Sequence, residues 1–238
     1  MHGLILAGGE GSRLAAEGVG VPKPLVRLGG EPLVTRLLGT LADLGCETLT
    51  CMVRADAVDV FRLLEGRRFG RPLDVRACRT RSSVHTLATG LETIPAGAVL
   101  CTMVDTVMPA ADWRAVYAAT EQGLAAGADA VLAVTPFVED ESPLYVGIGA
   151  AGFVCAVSDD PLDPPRVTGG VYGLSAAARR AAAQAVGEGI ERMRGFLKWL
   201  VARGNPLGTV AVPRIIDVDH ESDLRLANAW LASPEAQG

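Results

Sequence analysis

One short stretch of the chain combines glycines with cations in a way that suits a polyphosphate. Ala7-Gly8-Gly9-Glu10-Gly11-Ser12-Arg13-Leu14 follows an apolar run, and Pro22-Lys23 opens the segment KPLVRLGG eight residues beyond Leu14. Glycine has no Cβ to clash and reaches positive φ, so backbone N–H groups there can approach phosphate oxygens closely. Arg13 adds a fork-shaped donor and Lys23 a point charge, the two kinds of cation a triphosphate needs. Taken alone, the loop could also be a turn that happens to be Gly-rich. Two other nucleotide loops are excluded: Leu14 stands where a dinucleotide fingerprint has its third glycine, and no G-K-[ST] of a Walker loop occurs. Asp105 closes another apolar run, where it could cap a turn or hold a ligand. No Ser/His/Asp or Cys/His set is evident, and His2, His85 and His220 lack metal-ligand spacing to one another. That is consistent with a chemistry that places anions and needs no covalent intermediate.

These residues need a scaffold, and the pattern supplies one. GLILAG, PLVTRLLGTLADLG, TLTCMV and a helix near 56–65 alternate short apolar runs with helical periods, which is repeated βα. LDVRAC, SSVHTLATGLETI, AVLCTMV, a helix from Asp112 to Leu124 and the strand AVLAVT continue it. A mainly parallel, Rossmann-like α/β sheet flanked by helices follows, with the loop after its first strand facing the ligand crevice. After Pro136 the pattern changes to short strands around LYVGIG, FVCAVS and GGVYGL, with the stretch DDPLDPPR between them. We expect one domain over 1–238, with an insert at about 137–205 that covers a site. Helices near 176–203, a strand at RIIDV and an amphipathic helix from Ser222 to Leu231 complete the reading.

The segment from Leu6 to Leu25 resembles the signature of sugar-1-phosphate nucleotidyltransferases, L-A-G-G-x-G-[ST]-R-L followed by seven residues and P-K-P-L. That family includes glucose-1-phosphate thymidylyltransferases and phosphocholine-type cytidylyltransferases, and its fold is a Rossmann-like sheet with a substrate-covering insert. The resemblance implies that Leu6, Ala7, Gly8, Gly9, Gly11, Ser12, Arg13 and Lys23 bind the nucleotide, with Arg13 and Lys23 acting in catalysis. It aligns SSVHTLATGLETI with the base-reading segment, placing Ser82, Ser83 and His85 beside the nucleobase. The letters Ser82-Ser83 and Thr86-Leu87 favour CTP, with UTP or dTTP as alternatives. Val104-Asp105 matches the family's Gly-Asp, whose aspartate binds magnesium, and Asp217-Val218-Asp219 resembles its D-[IV]-D-T-x-x-D-L. The implied Mg²⁺ ligands are Asp105 and Asp219, with Asp217 as the substitute for the second. Asp223 is expected at the start of the last helix, where a carboxylate favours the dipole. Asp105, Tyr145, Gly147, Arg166, Thr168, Gly169 and Gly170 are expected to line the acceptor pocket. One departure stands out, because the family's acceptor-phosphate lysine falls at Asp160, where a carboxylate would repel a phosphate. Arg166 or another base then replaces it, or the acceptor is not a conventional sugar 1-phosphate.

The implied reaction is an in-line attack by an acceptor phosphate oxygen on the α-phosphorus of a nucleoside triphosphate, releasing pyrophosphate. The attacking phosphate is already ionised near neutral pH, so no general base is required. Two other readings compete: a non-catalytic nucleotide-binding regulator, and a nucleotide-sugar-dependent glycosyltransferase, which would show D-x-D where this chain has Val-Asp-Thr. Composition narrows the partners. A chain of 238 residues, 49% hydrophobic, buries a large core. The net charge of −5 is spread without the basic stripe that nucleic acid requires. Five cysteines without a C-x-x-C pair and no long apolar segment suggest a cytoplasmic protein off the membrane. Trp113, Trp199 and Trp230 read as packing residues, and MRGFLKWLV could bury one face in a homodimer.

Overall fold

The structure is a computed structural model that describes residues 1–9, 11–139 and 141–236. In chain order its elements are β1 (His2–Ala7), α1 (Ser12–Ala16), β2 (Arg27–Leu28), β3 (Glu31–Pro32), α2 (Leu33–Asp43), β4 (Leu49–Arg54), α3 (Val58–Leu64) and β5 (Leu73–Cys78). Then come α4 (Ser83–Thr93), β6 (Val99–Met103), β7 (Thr106–Val107), α5 (Ala110–Ala125), β8 (Ala130–Thr135), β9 (Tyr145–Ile148) and β10 (Val154–Ser158). The remainder is β11 (Val167–Leu174), α6 (Ala176–Gly187), α7 (Met193–Ala202), β12 (Leu207–Ala211), β13 (Ile216–Asp217) and α8 (Glu221–Leu231).

The main sheet runs β5-β4-β1-β6-β11-β8-β12, and β11 alone among these strands is antiparallel to its neighbours. All six residues of β1 and of β8 are buried, the result of helices covering both faces of parallel strands. One face packs Leu4, Met52, Leu87 and Leu132 under α4, α6 and α7, and the other packs Ile5, Leu38, Val53 and Val116 under α2, α3 and α5. A third apolar group, including Leu14, Leu33, Val218 and Trp230, seats α8. Among the described residues, no helix is long and apolar enough to cross a membrane.

The stretch 137–205 joins the sheet, because β9 and β10 form a hairpin that meets the first residue of β11. The apolar side of MRGFLKWLV, through Phe196, Leu197 and Leu200, lies in the core. β12, which the sequence pattern did not suggest, adds a parallel edge to β8. The expected strand at RIIDV is two residues long, paired with β7.

β11 needs its glycines. A Cβ on Gly173 would lie 2.1 Å from Thr120 Cγ2, so glycine lets α5 sit directly on the strand. Between Thr168 and Tyr172 the register with β8 slips, and Gly170 there has φ +73°. The slip is a bulge, which re-aims a strand locally.

Candidate active site

The carboxyl ends of the parallel strands carry the site, and two small pairings assemble it. Asp105 follows β6 in the turn to β7, and Asp219 follows β13. β7 and β13 pair antiparallel, Ile216 opposite Val107 and Asp217 opposite Thr106. The Val218 N–H donates to the Asp105 carbonyl at 3.1 Å, and Thr106 Oγ1 donates to Asp217 Oδ1 at 3.3 Å. The Asp223 carboxylate then accepts from the N–H groups of Asp219 at 3.0 Å and His220 at 2.7 Å. This is a cap at the N-terminus of α8, and it fixes the backbone that presents Asp219.

Lys23 brings the two carboxylates together from 82 and 196 residues away in the chain. Its ammonium donates to Asp105 Oδ2 and to Asp219 Oδ1, and Arg13 Nη1 donates to Asp219 Oδ2. The Lys23 side chain is only 8% exposed. Burial alone would lower its pKa, but Asp105 and then Asp219 outweigh that and hold it above the ordinary lysine value. Burial likewise pushes Asp219 up, and Lys23 followed by Arg13 overcomes it, keeping the carboxyl below its ordinary value. Gly11 sets the approach of Lys23: it takes φ +61° and caps α1, and a Cβ there would stand 3.0 Å from Lys23 Cβ.

Three recesses meet at Met103, the last residue of β6. The first, of about 290 Å³, runs over Gly9, Gly11, Ser12, Arg13 and Lys23 to Asp105 and Asp219. The second, of about 440 Å³, is walled by Leu6, Gly8, Arg54, Cys78, Thr80, Arg81 and Ser82. The third, of about 660 Å³, holds Thr168, Gly170, Tyr172, Ser142, Arg192 and Arg194 on the far side of the carboxylates. A chain of ligand atoms could therefore enter from two sides and meet beside the aspartates.

The expected site residues divide among these places. Leu6, Gly8, Gly9, Gly11, Ser12, Arg13, Lys23, Ser82, Ser83, Asp105, Thr168, Gly170, Asp217 and Asp219 line one or more recesses. Ala7 is buried in the core beneath the loop, and Glu10 of the motif lies outside the described residues. His85 Nδ1 meets Ser82 Oγ at 2.9 Å, with Ser82 standing between it and the recess. Ser83 Oγ accepts from the Met193 N–H at 3.0 Å, tying α4 to the start of α7.

Gly169 lines a separate small recess with Arg13, Asp217, Asp219 and His220, and a Cβ on it would meet Ile215 Cγ2 at 2.3 Å. Tyr145 is buried in β9 opposite Ser158, and Gly147 packs beneath Ala156 and Leu162. Arg166 is half-buried, and its carbonyl accepts from the Val146 N–H at 2.8 Å. Asp160 is exposed, and its N–H donates to Ser158 Oγ at 2.9 Å. Its neighbour Asp159 instead accepts from Arg194 at 2.6 Å and from Lys198.

Sequence reasoning missed Arg192 and Arg194, although a signal existed. They flank Met193 at the N-terminus of α7, the end of a helix that disfavours cations. Both line the third recess, and Arg194 also donates to Asp159 and to the Ser142 carbonyl.

A model of the MobA-like NTP transferase domain matches residues 3–203 of the chain. A mannose-1-phosphate guanyltransferase of Pichia angusta is 42% identical over 53 residues, which are 22% of this chain and 15% of that protein. Among solved structures, a glucose-1-phosphate thymidylyltransferase from Bacillus anthracis superposes with a TM-score of 0.81 at 18% identity, covering 97% of this chain and 94% of that one. The inositol-1-phosphate CTP transferase of T. maritima gives 0.78 at 14% identity, covering 98% and 96%. At those identities the structural likeness is one of fold, and the fold is the mixed, mainly parallel α/β sheet expected from the sequence.

Proposed function

Because the chain belongs to the MobA-like NTP transferase family, we propose that it transfers a nucleoside monophosphate from a nucleoside triphosphate to a small phosphorylated acceptor, releasing pyrophosphate. The observation that carries this reading is the buried Lys23 between Asp105 and Asp219, beside the glycine loop and at the junction of three recesses. The loop, Arg13 and Lys23 bind the triphosphate, and the recess along Leu6, Gly8, Ser82 and Ser83 takes the base. Arg192 and Arg194 face the acceptor phosphate across Thr168 and Gly170. The α-phosphorus then lies near Met103, with the attacking oxygen on one side and the pyrophosphate leaving on the other. Positioning of this kind is worth up to roughly 7 to 11 kcal/mol when alignment is good.

Asp105 and Asp219 are also the residues that would hold Mg²⁺. Their fit is supported by Lys23 itself, since one cation already sits between the two carboxylates. Two protein oxygens, with phosphate and water completing the shell, are the hard donor set that magnesium takes. A bound Mg²⁺ would supply positive charge against the α-phosphate and the departing pyrophosphate. Arg13 and Lys23 add to it from the protein side, and the acceptor phosphate needs no base.

The test is pyrophosphate release from CTP first, then UTP, dTTP and GTP, each paired with glucose 1-phosphate, mannose 1-phosphate, inositol 1-phosphate and phosphocholine. Release with at least one pair, abolished by EDTA and by Lys23→Ala, is expected. Nucleotide binding without release across the panel would make the protein a non-catalytic nucleotide binder instead.

A further inference from the structure

The cations and the anions of the site are spent on one another. Lys23 occupies one oxygen of Asp105 and one of Asp219, and Arg13 occupies the second oxygen of Asp219. Two cations thus face these two carboxylates, with the exposed Glu141 a weaker partner 3.9 Å from Arg13 Nε. Lys23 is nearly shut off from water, so these partners and not solvent compensate its charge. Yet the proposed reaction puts a divalent cation on the same two carboxylates, and a buried ammonium that kept both of them, with one N–H to spare, would lie against that cation charge to charge.

We infer that Lys23 is an exchangeable counter-ion that holds Asp105 and Asp219 until a divalent cation takes them, and that leaving them is what delivers its ammonium to the phosphates. The inference rests on the proposed nucleotidyltransferase site. Arg13 makes the same exchange from Asp219, and its side chain, 44% exposed, has room to turn. A divalent cation arriving alone must expel a buried ammonium that then lacks a partner. A polyphosphate arriving alone must pull both cations away and strand two carboxylates. When both bind, every charge regains a partner, so the two ligands couple positively through the protein, in addition to their direct chelation of one another.

Two measurements without nucleotide test this. Mn²⁺ binding, followed by calorimetry, is expected to tighten about tenfold or more in Lys23→Met, a gain of about 1.4 kcal/mol or more, because the competing ammonium is gone. Equal or weaker Mn²⁺ binding in a variant that still melts cooperatively overturns the inference. If Lys23→Met does not fold, Asp219→Asn decides: in EDTA it is expected to bind sodium tripolyphosphate more tightly than the wild type, since Lys23 and Arg13 have lost an anion. Equal or weaker binding there overturns the inference as well. Neither readout is turnover, so failure of the transfer reaction would appear separately, as no pyrophosphate release with these binding shifts intact.

Discussion

Arg179 on α6 is the residue whose removal should cost most for its exposure. Its Nη2 donates to the carbonyls of Leu91 at 2.8 Å and Ile94 at 2.7 Å, and its Nη1 to those of Pro95 at 2.7 Å and Gly97 at 2.8 Å. One guanidinium thus satisfies Leu91, in the last turn of α4, where carbonyls lack a donor within the helix, and three carbonyls of the turn that follows it. Arg179→Met keeps the apolar stem and removes every one of those donors. The carbonyls of Pro95 and Gly97 can turn to water at little cost. Those of Leu91 and Ile94 are half-buried, and an unsatisfied buried acceptor costs about 1–3 kcal/mol. The expected loss is about 2–4 kcal/mol, which for a chain of this size lowers Tm by roughly 5–15 °C. Urea and thermal denaturation, followed by far-UV circular dichroism, give the number. Arg179→Lys should fall between the two, because an ammonium has three donors and no fork. If Arg179→Met melts within about 1 °C of the wild type, well under the shift expected from one lost buried bond, the carbonyls find other donors and the capping argument is wrong.

Gly169→Ala places a Cβ 2.3 Å from Ile215 Cγ2, and the overpacking should cost about 1–3 kcal/mol while displacing β13. Its turnover should fall more than its stability, and a variant with unchanged turnover would show that β13 tolerates the shift. Arg192→Ala should raise KM for the acceptor about tenfold or more, the worth of a charge-assisted hydrogen bond, and leave KM for the nucleotide unmoved. A rise in the nucleotide KM alone would place Arg192 in the wrong recess. The indole N–H of Trp199, then Arg203, holds the Glu188 carboxyl below its ordinary value of 4.5. Such a group stabilises the fold above its unfolded pKa and ceases to do so as pH falls through its folded one. The stability difference between wild type and Glu188→Gln should therefore be largest near neutral pH and close as the solution is acidified below about pH 4, with Trp199 fluorescence as the local report. A gap that widens in acid would contradict the sign.

The glycine loop was legible because its residues are contiguous: the strand GLILAG, the glycines and Arg13 lie within a few residues of each other and line one recess. Asp105 and Asp219 could be found only by resemblance, since nothing local in Val104-Asp105 or Asp217-Val218-Asp219 distinguishes a ligand from a turn. What joins them is the β7–β13 pairing, two residues on each side, too short for any periodic signal. The acceptor side was the least legible. Tyr145 and Arg166 look available in sequence, but the β9–β10 hairpin buries one and half-buries the other. Arg192 and Arg194 reach the cleft on a helix that long-range contacts hold in place, among them Ser83 Oγ to the Met193 N–H, 110 positions apart, and the Val84 N–H to the Glu191 carbonyl. Long-range contacts of that sort leave no trace in spacing.

The β7–β13 pairing also ties the part of the chain that the family domain matches to the part beyond it. The match to the family domain ends at residue 203, and the chain up to there holds the glycine loop, Lys23, Asp105 and the lining of the second recess, whereas the third also draws on Asp217 and Asp219. Still to come are β12, β13, Asp219 and α8. Without them Lys23 would keep one of its two carboxylate partners, and the edge of β8 would be open. Residues 206–231 thus cover a sheet edge and complete a buried charge balance together, so a chain cut after residue 203 is expected to lose both at once.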